Sequence, residues 1–231
     1  LLKEITAPAG YVISDELRTG VAVTIGSVQT IELSFANNTQ KGSIDIAKVA
    51  EDGETPLSGA VFGLYRAVDA VDPIAVKTTG NDGKALFDEL EAGTYYVKEI
   101  SAPTGYILDS TVYTFVVGDG AQAAWAHRKT VANEKKRFSL QLRKTEETGS
   151  TPLPNAEFRL TGNGFNLTAV SDEKGLVVFE GLTYGSYTIT ETKAPSGYVP
   201  AVPIQITIDD SNTYRPDHIV AVSEAIKNQH T

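Results

Sequence analysis

One short phrase occurs three times in this chain, and it constrains the fold more than any other feature. It reads Lys3-Glu4-Ile5-Thr6-Ala7-Pro8-Ala9-Gly10-Tyr11, then Lys98-Glu99-Ile100-Ser101-Ala102-Pro103-Thr104-Gly105-Tyr106, then Thr190-Glu191-Thr192-Lys193-Ala194-Pro195-Ser196-Gly197-Tyr198. Its glutamates stand at 4, 99 and 191, so that 95 and then 92 residues separate them. That spacing is one small domain per repeat. In each copy Ala-Pro-x-Gly-Tyr ends a strand, because proline has no amide hydrogen to give a ladder and glycine readily takes positive φ. The repeat divides the 231 residues into the C-terminal part of a truncated domain, 1–40, and two complete domains, 41–134 and 135–231. Leu1 stands directly before a motif whose upstream half is missing, so the chain is expected to be a piece of something longer.

Between the glutamates lie short runs of alternating or apolar residues separated by turn residues. In the second repeat strands are predicted at 43–49, 60–66, 85–87, 93–100 and 113–117, with a last strand ending at Asn133; Asp52-Gly53 and Asn81-Asp82-Gly83 mark turns. The third repeats this order at 138–144, 156–160, 175–179, 185–190 and 204–208, with a final strand running through Ile226 to Asn228. In residues 1–40 the alternation of Val21, Val23 and Ile25, followed by a strand over 31–37, completes the pattern. No long amphipathic helix is evident. Hydrophobic residues make up 41% of the chain, enough to bury real cores. About seven short strands per repeat at this turn spacing predict an all-β, antiparallel sandwich with Greek-key connections.

Side chains on a strand alternate between faces, so parity tells which residues enter the core. Ile44 and Ile46 share their face with Lys48; Phe138, Leu140 and Leu142 share theirs with Lys144. Glu99 falls on the face of Tyr95 and Val97, and Glu191 on that of Tyr187 and Ile189. Asn133 goes with Val131, Asn228 with Ile226 and Val222, and Asn37 with Phe35, Leu33 and Ile31. A single inward lysine is commonly a side chain snorkelling to water. The same Lys, Glu, Asn order in two domains calls for a different explanation. Burial disfavours both charges, so a buried amine and a buried carboxyl are expected to be neutral or to share a proton. A neutral amine beside a carboxamide is a nucleophile facing an electrophile, and a carboxylic acid on that amide polarises its carbonyl and passes a proton to the leaving ammonia. The expected product is a Lys–Asn side-chain amide, formed once per complete domain.

These residues resemble the collagen-adhesin B-type repeats of Gram-positive surface proteins and pilins. Pro56-Leu57-Ser58-Gly59-Ala60-Val61-Phe62 matches Pro152-Leu153-Pro154-Asn155-Ala156-Glu157-Phe158, and Gly93-Thr94-Tyr95-Tyr96-Val97-Lys98-Glu99 matches Gly185-Ser186-Tyr187-Thr188-Ile189-Thr190-Glu191. The resemblance covers essentially the whole chain. It implies tandem Greek-key sandwiches of the prealbumin or immunoglobulin-like kind, with spontaneous isopeptide bonds. Lys48, Glu99 and Asn133 would form one triad, and Lys144, Glu191 and Asn228 the next. Glu4 and Asn37 would be an incomplete site whose lysine falls before Leu1. The implied role is a structural stalk segment of a cell-wall-anchored adhesin or pilin, its anchor outside this chain, with neighbouring domains of the same surface protein as partners. The alternative is a module binding a host matrix protein or glycan through loops at a sandwich end. An exposed aromatic or apolar patch would distinguish it. The sorting motif and a pilin-linking lysine motif of the family are not found here.

Other chemistry finds little support. Net charge is −9 with no Lys/Arg cluster, which argues against nucleic acid or an anionic membrane as partner. No stretch is long and apolar enough to span a bilayer. Without cysteine there are no disulfides, thiolate metal sites or thiol nucleophiles. His127, His218 and His230 are the only histidines, and none has metal-ligand spacing; neither metal nor cofactor is expected, and a turnover enzyme is not. Asp52, Asp82, Asp119, Asp209 and Asp210 lack a calcium-loop pattern and suit turns. Asn166-Leu167-Thr168 and Asn37-Asn38-Thr39 fit a glycosylation acceptor, which means little in a bacterial protein. Trp125 near Tyr113 suggests either a ligand platform or ordinary core packing.

Overall fold

In the computed structural model, residues 1–27, 30, 32–118, 124–212, 214, 219–221 and 225–230 are described. Ile31, Asp119, His218 and Val222 lie outside them. The chain divides into two units, residues 1–103 with 108–133, and residues 104–107 with 134–231. Each is built on two facing sheets.

In the first unit the strands are β1 (Tyr11–Val12), β2 (Asn38–Thr39), β3 (Gly42–Ala50), β4 (Val61–Tyr65), β5 (Ala75–Thr78), β6 (Lys84–Leu90), β7 (Gly93–Ser101), β8 (Val112–Val117) and β9 (Ala126–Asn133), with one short helix, α1 (Asp15–Thr19). β1 and β2 form a separate two-stranded sheet, and the two facing sheets have the orders β6-β3-β9 and β5-β4-β7-β8. Their inner faces meet in a core of Ile44, Ile46, Phe62, Leu64, Phe87, Tyr95, Val97, Phe115 and Val131. Trp125 and Tyr113 are partly buried and pack against it.

The second unit repeats the plan. Its strands are β10 (Phe138–Glu146), β11 (Glu157–Gly162), β12 (Phe165–Val170), β13 (Leu176–Leu182), β14 (Gly185–Lys193), β15 (Ile204–Ile208), β16 (Ile219–Ala221) and β17 (Ile226–Asn228). Here β13, β10 and β16 form one sheet, with β17 also on β10, and β12-β11-β14-β15 the other.

Two features depart from the sequence reading. The lysine and asparagine strands pair in parallel, not antiparallel, as β3 with β9 and β10 with β17: Lys48 lies opposite Val131 and Ala50 opposite Asn133, and Lys144 lies opposite Ile226 and Glu146 opposite Asn228. Alternation encodes which face a residue takes and carries no information on strand direction. The described part of the strand expected over 31–37 is irregular, and only Asn38–Thr39 pairs, with β1. Val21 and Val23 are only half-buried, and Ile25 is exposed. The strand that lies beside Asn133 and Asn228 in the full units is the lysine-bearing one, and among the described residues no such strand lies beside 32–37.

Candidate functional site

Lys48 occupies the last part of a nine-residue strand whose even positions face the core, and it is 0% exposed. Its backbone is held on both sides: Lys48 N donates to Gly83 O at 2.7 Å, and Leu57 N donates to Lys48 O at 2.9 Å. Gly83 sits at φ +71°, and a Cβ there would lie 2.5 Å from Lys48 O, so the Asn81-Asp82-Gly83 turn needs glycine to approach this strand. Glu99 is brought in by β7 at a bulge, where pairing shifts between Val61 opposite Ser101 and Phe62 opposite Glu99. The same irregularity recurs where Phe158 faces Glu191. In both copies the irregularity begins just past the glutamate, which keeps the inward face it shares with Tyr95 and Val97, or with Tyr187 and Ile189.

The three side chains of each full unit come together. Lys48 Nζ donates to Asn133 Oδ1 and lies 3.3 Å from Glu99 Oε1, while Asn133 Nδ2 donates to both Glu99 oxygens at 2.9 and 3.1 Å. In the second unit Lys144 Nζ donates to Asn228 Oδ1 and, at 3.2 Å, to Ile226 O; it lies 3.4 Å from Glu191 Oε2. Asn228 Nδ2 donates to Glu191 Oε1 at 3.0 Å. All six residues are buried. Burial lowers the pKa of both lysines, and the neighbouring glutamate only partly opposes it. The proton such an amine sheds has a carboxylate oxygen within 3.5 Å as acceptor.

The alternation pattern did not reveal two supports of the site. Ten residues beyond each glutamate a backbone N–H returns to it: Asp109 N donates to Glu99 Oε2 at 2.7 Å and Ala201 N to Glu191 Oε2 at 2.8 Å. The Ala-Pro-x-Gly-Tyr turn makes this return, and its tyrosine pairs with the residue two past the asparagine in all three copies, as Tyr11 with Thr39, Tyr106 with Lys135 and Tyr198 with His230. The constant offset from Asn was legible only once the pairing was known. Asp109 also accepts from Tyr113 Oη at 2.6 Å. Burial and this bond push the Tyr113 hydroxyl up to about 12; burial works against the Asp109 charge too, but hydrogen bonds from Thr111 and Tyr113 outweigh it and hold that carboxyl below its ordinary range. Ala201 replaces Asp109 in the second unit.

The first motif copy holds only two of the three groups. Asn37 Nδ2 donates to Glu4 Oε1 at 2.9 Å, and both residues are half-buried.

The remaining polar residues singled out in the sequence have local roles. Asp52 Oδ1 accepts from Glu54 N and Thr55 N, Asp82 Oδ1 from Lys84 N, and Asp209 Oδ1 from Ser211 N, all within turns. Asp210 Oδ1 accepts from Tyr184 Oη at 3.0 Å. His127 Nε2 bonds Val116 O and His230 stacks on Tyr198. Among the described residues no group of three or more His, Asp or Glu is placed to hold a metal, and no helix is long and apolar enough to cross a membrane.

Comparison with known proteins adds an independent line. The family described as SpaA, prealbumin-like fold domain, matches residues 42–130 and 138–218. The trypsin-resistant surface T6 protein of Streptococcus pyogenes serotype M6 is 36% identical over 92 residues, 40% of this chain and 16% of that protein. The solved structure of the Bacillus anthracis TIE protein is similar with a TM-score of 0.70 at 32% identity, over 84% of this chain and 35% of that one. The C-terminal fragment of the pilus adhesin SpaC from Lactobacillus rhamnosus GG shares the fold at 21% identity, with a TM-score of 0.50 over 83% of this chain and 98% of that fragment. The chain thus spans well under half the length of the first two.

Proposed function

Since this chain belongs to the family of SpaA prealbumin-like fold domains, we propose that it is a stalk segment of a Gram-positive cell-wall-anchored adhesin or pilin, built of repeats at 1–40, 41–134 and 135–231. Each complete repeat locks itself with one amide, between Lys48 and Asn133 and between Lys144 and Asn228. The observation that carries this reading is the buried contact of each lysine amine with its asparagine carboxamide, with a glutamate hydrogen-bonded to the amide nitrogen.

The step follows from the geometry. The amine, its neutral form favoured by burial, attacks Asn Cγ; the Nζ–Cγ bond forms, the Cγ–Nδ2 bond breaks, and Nδ2 leaves as ammonia with the proton that the glutamate relays. Glutamate ends as it began, so each domain reacts once. Folding supplies the effective concentration. Mechanically the bond joins the two parallel terminal strands, so that a pull on the unit runs through Lys48 into Asn133 and bypasses the residues between. Loss under force is governed by unfolding rate, which such a bypass suppresses.

The test is the intact mass of this chain made in a host without the parent organism's enzymes. A deficit of two ammonias is expected; a mass equal to the sum of the residues refutes the cross-links. One observation favours a second reading as a host-ligand module. The β4–β5 connection exposes Val68, Val71 (87% exposed) and Ile74, with Val76 beside them on β5, where β11 and β12 are joined by Asn163-Gly164 alone.

A further inference from the structure

The two full sites hold their glutamates alike but differ in charge. In both, the amide ten residues on donates to the carboxylate, from Asp109 N to Glu99 Oε2 at 2.7 Å and from Ala201 N to Glu191 Oε2 at 2.8 Å. Only in the first does that residue carry a carboxylate of its own. The Asp109 side chain is fixed at both oxygens, Oδ2 accepting from Tyr113 Oη at 2.6 Å and Oδ1 from Thr111 N at 2.9 Å. Tyr113 stands across from Val97 and Ile204 across from Ile189, each two residues before the glutamate. Ile204 therefore takes the place of Tyr113 as Ala201 takes that of Asp109, and the second domain lacks both the acid and the phenol that anchors it.

Lys48 is met from each packed element in turn. β7 brings Glu99 to 3.3 Å from its Nζ, β9 brings the uncharged Asn133, and β4 brings the Phe62 ring, 5.8 Å away at its centroid. β6 turns Lys84 outward, opposite Ala47. The β7–β8 connection adds Asp109, whose carboxylate and the Lys48 ammonium stabilise one another. On β8, Tyr113 keeps its proton, its hydroxyl pushed up to about 12, and so remains a donor to Asp109; Lys129 of β9 lies over its ring at 5.0 Å. Among the described residues Glu191 is the acid acting on Lys144, and the amine's further partner is Ile226 O at 3.2 Å. An added anion beside a buried amine favours its charged form.

We propose that Asp109 is a positioning residue that acts through Lys48 and sets the pH at which the first full domain locks. The second anion holds the proton on the amine, so the neutral nucleophile forms at a higher pH than it would with alanine at position 109. The second domain, with Ala201, is free of that delay. This deepens the amide-forming reading of the two complete sites and rests on it. Asp109 exchanges no bond with the reacting atoms: the Nζ–Cγ bond still forms and ammonia still leaves as described above.

The test follows ammonia loss in the full chain. The protein is produced as insoluble aggregates and kept in denaturant, so that no link forms before dilution into buffers of stepped pH. Samples are quenched in acid and digested, and the Lys48–Asn133 and Lys144–Asn228 linked peptides are quantified by mass. Asp109→Asn keeps the size of the side chain, an oxygen for Thr111 N and a partner for Tyr113 Oη, and removes the charge. Expected is a fall of about one pH unit in the midpoint of the first domain's rate profile, hence linking about tenfold faster below it, with the plateau and the second domain's profile unchanged. Ala201→Asp combined with Ile204→Tyr raises the second midpoint by a similar amount. An unmoved or raised first midpoint in Asp109→Asn overturns the inference. So does a change confined to the plateau, or a first domain that links at no pH, since either makes Asp109 a structural support of Glu99. A transplanted second domain that links with its midpoint unmoved overturns it too. A wild-type chain that forms no link at any pH removes the amide-forming reading and this inference with it.

Discussion

Replacing Glu99 by Ala is expected to leave the first full domain folded and unlinked, because the apolar core of Ile44, Phe62, Phe87, Tyr95 and Val131 sets the fold while the acid assists the reaction. The protein then keeps one ammonia more than wild type. The lost bond closes a loop between residues 85 apart in sequence. The chain-entropy relation for cross-links gives about 4.6 kcal/mol for that length. At roughly 4–8 °C per kcal/mol for a domain of this size, the melting transition of that unit falls by about 18–37 °C. The substitution also strips Asn133 Nδ2 and Asp109 N of their acceptor, which adds roughly 1–3 kcal/mol for each. A total near the marginal stability of an ordinary domain makes Glu99→Gln the necessary companion. It preserves packing and leaves no carboxylate to relay the proton, so the mass result is the same with a smaller thermal loss. Intact mass and calorimetry read the two quantities separately. A Glu99→Ala protein that loses ammonia at the wild-type rate refutes the role given to Glu99. An unlinked variant that melts within a few degrees of wild type refutes the loop-closure account.

Two further outcomes are expected. Because the folded-state pKa of Lys48 and Lys144 lies below the ordinary 10.5, the folded protein holds a neutral amine at pH values where the unfolded chain is still charged. The linking rate after refolding therefore rises with pH and levels off below 10.5, and an unlinked Asn133→Ala variant gains stability with pH between the depressed value and 10.5; a rate that falls as pH rises, read by timed mass spectrometry, contradicts this. If the second reading holds, replacing residues 67–73 by an Asn-Gly turn abolishes binding to immobilised matrix protein while both ammonia losses persist, and unchanged binding removes that reading.

Much of the candidate site's arrangement was legible in the residues themselves. Period-two alternation carries the face of each side chain, so Lys48, Glu99 and Asn133, and Lys144, Glu191 and Asn228, could be aimed inward from parity alone, and turn residues bounded most strands. Strands β5 and β12 escaped notice: β5 is half-buried at best, and β12 alternates but buries no residue fully. What alternation does not carry is the neighbour. The parallel pairing of the lysine and asparagine strands, the bulges just past the glutamates, the amides of Asp109 and Ala201 that return to them, and the pairing of each tyrosine with the residue two past its asparagine are all non-local contacts. The expected strand over 31–37 shows the limit most directly. Its residues have the right pattern, yet the described ones stay irregular because a strand exists only where another backbone satisfies its hydrogen bonds. Sequence determined which side chains turn inward; tertiary pairing decided which of them meet.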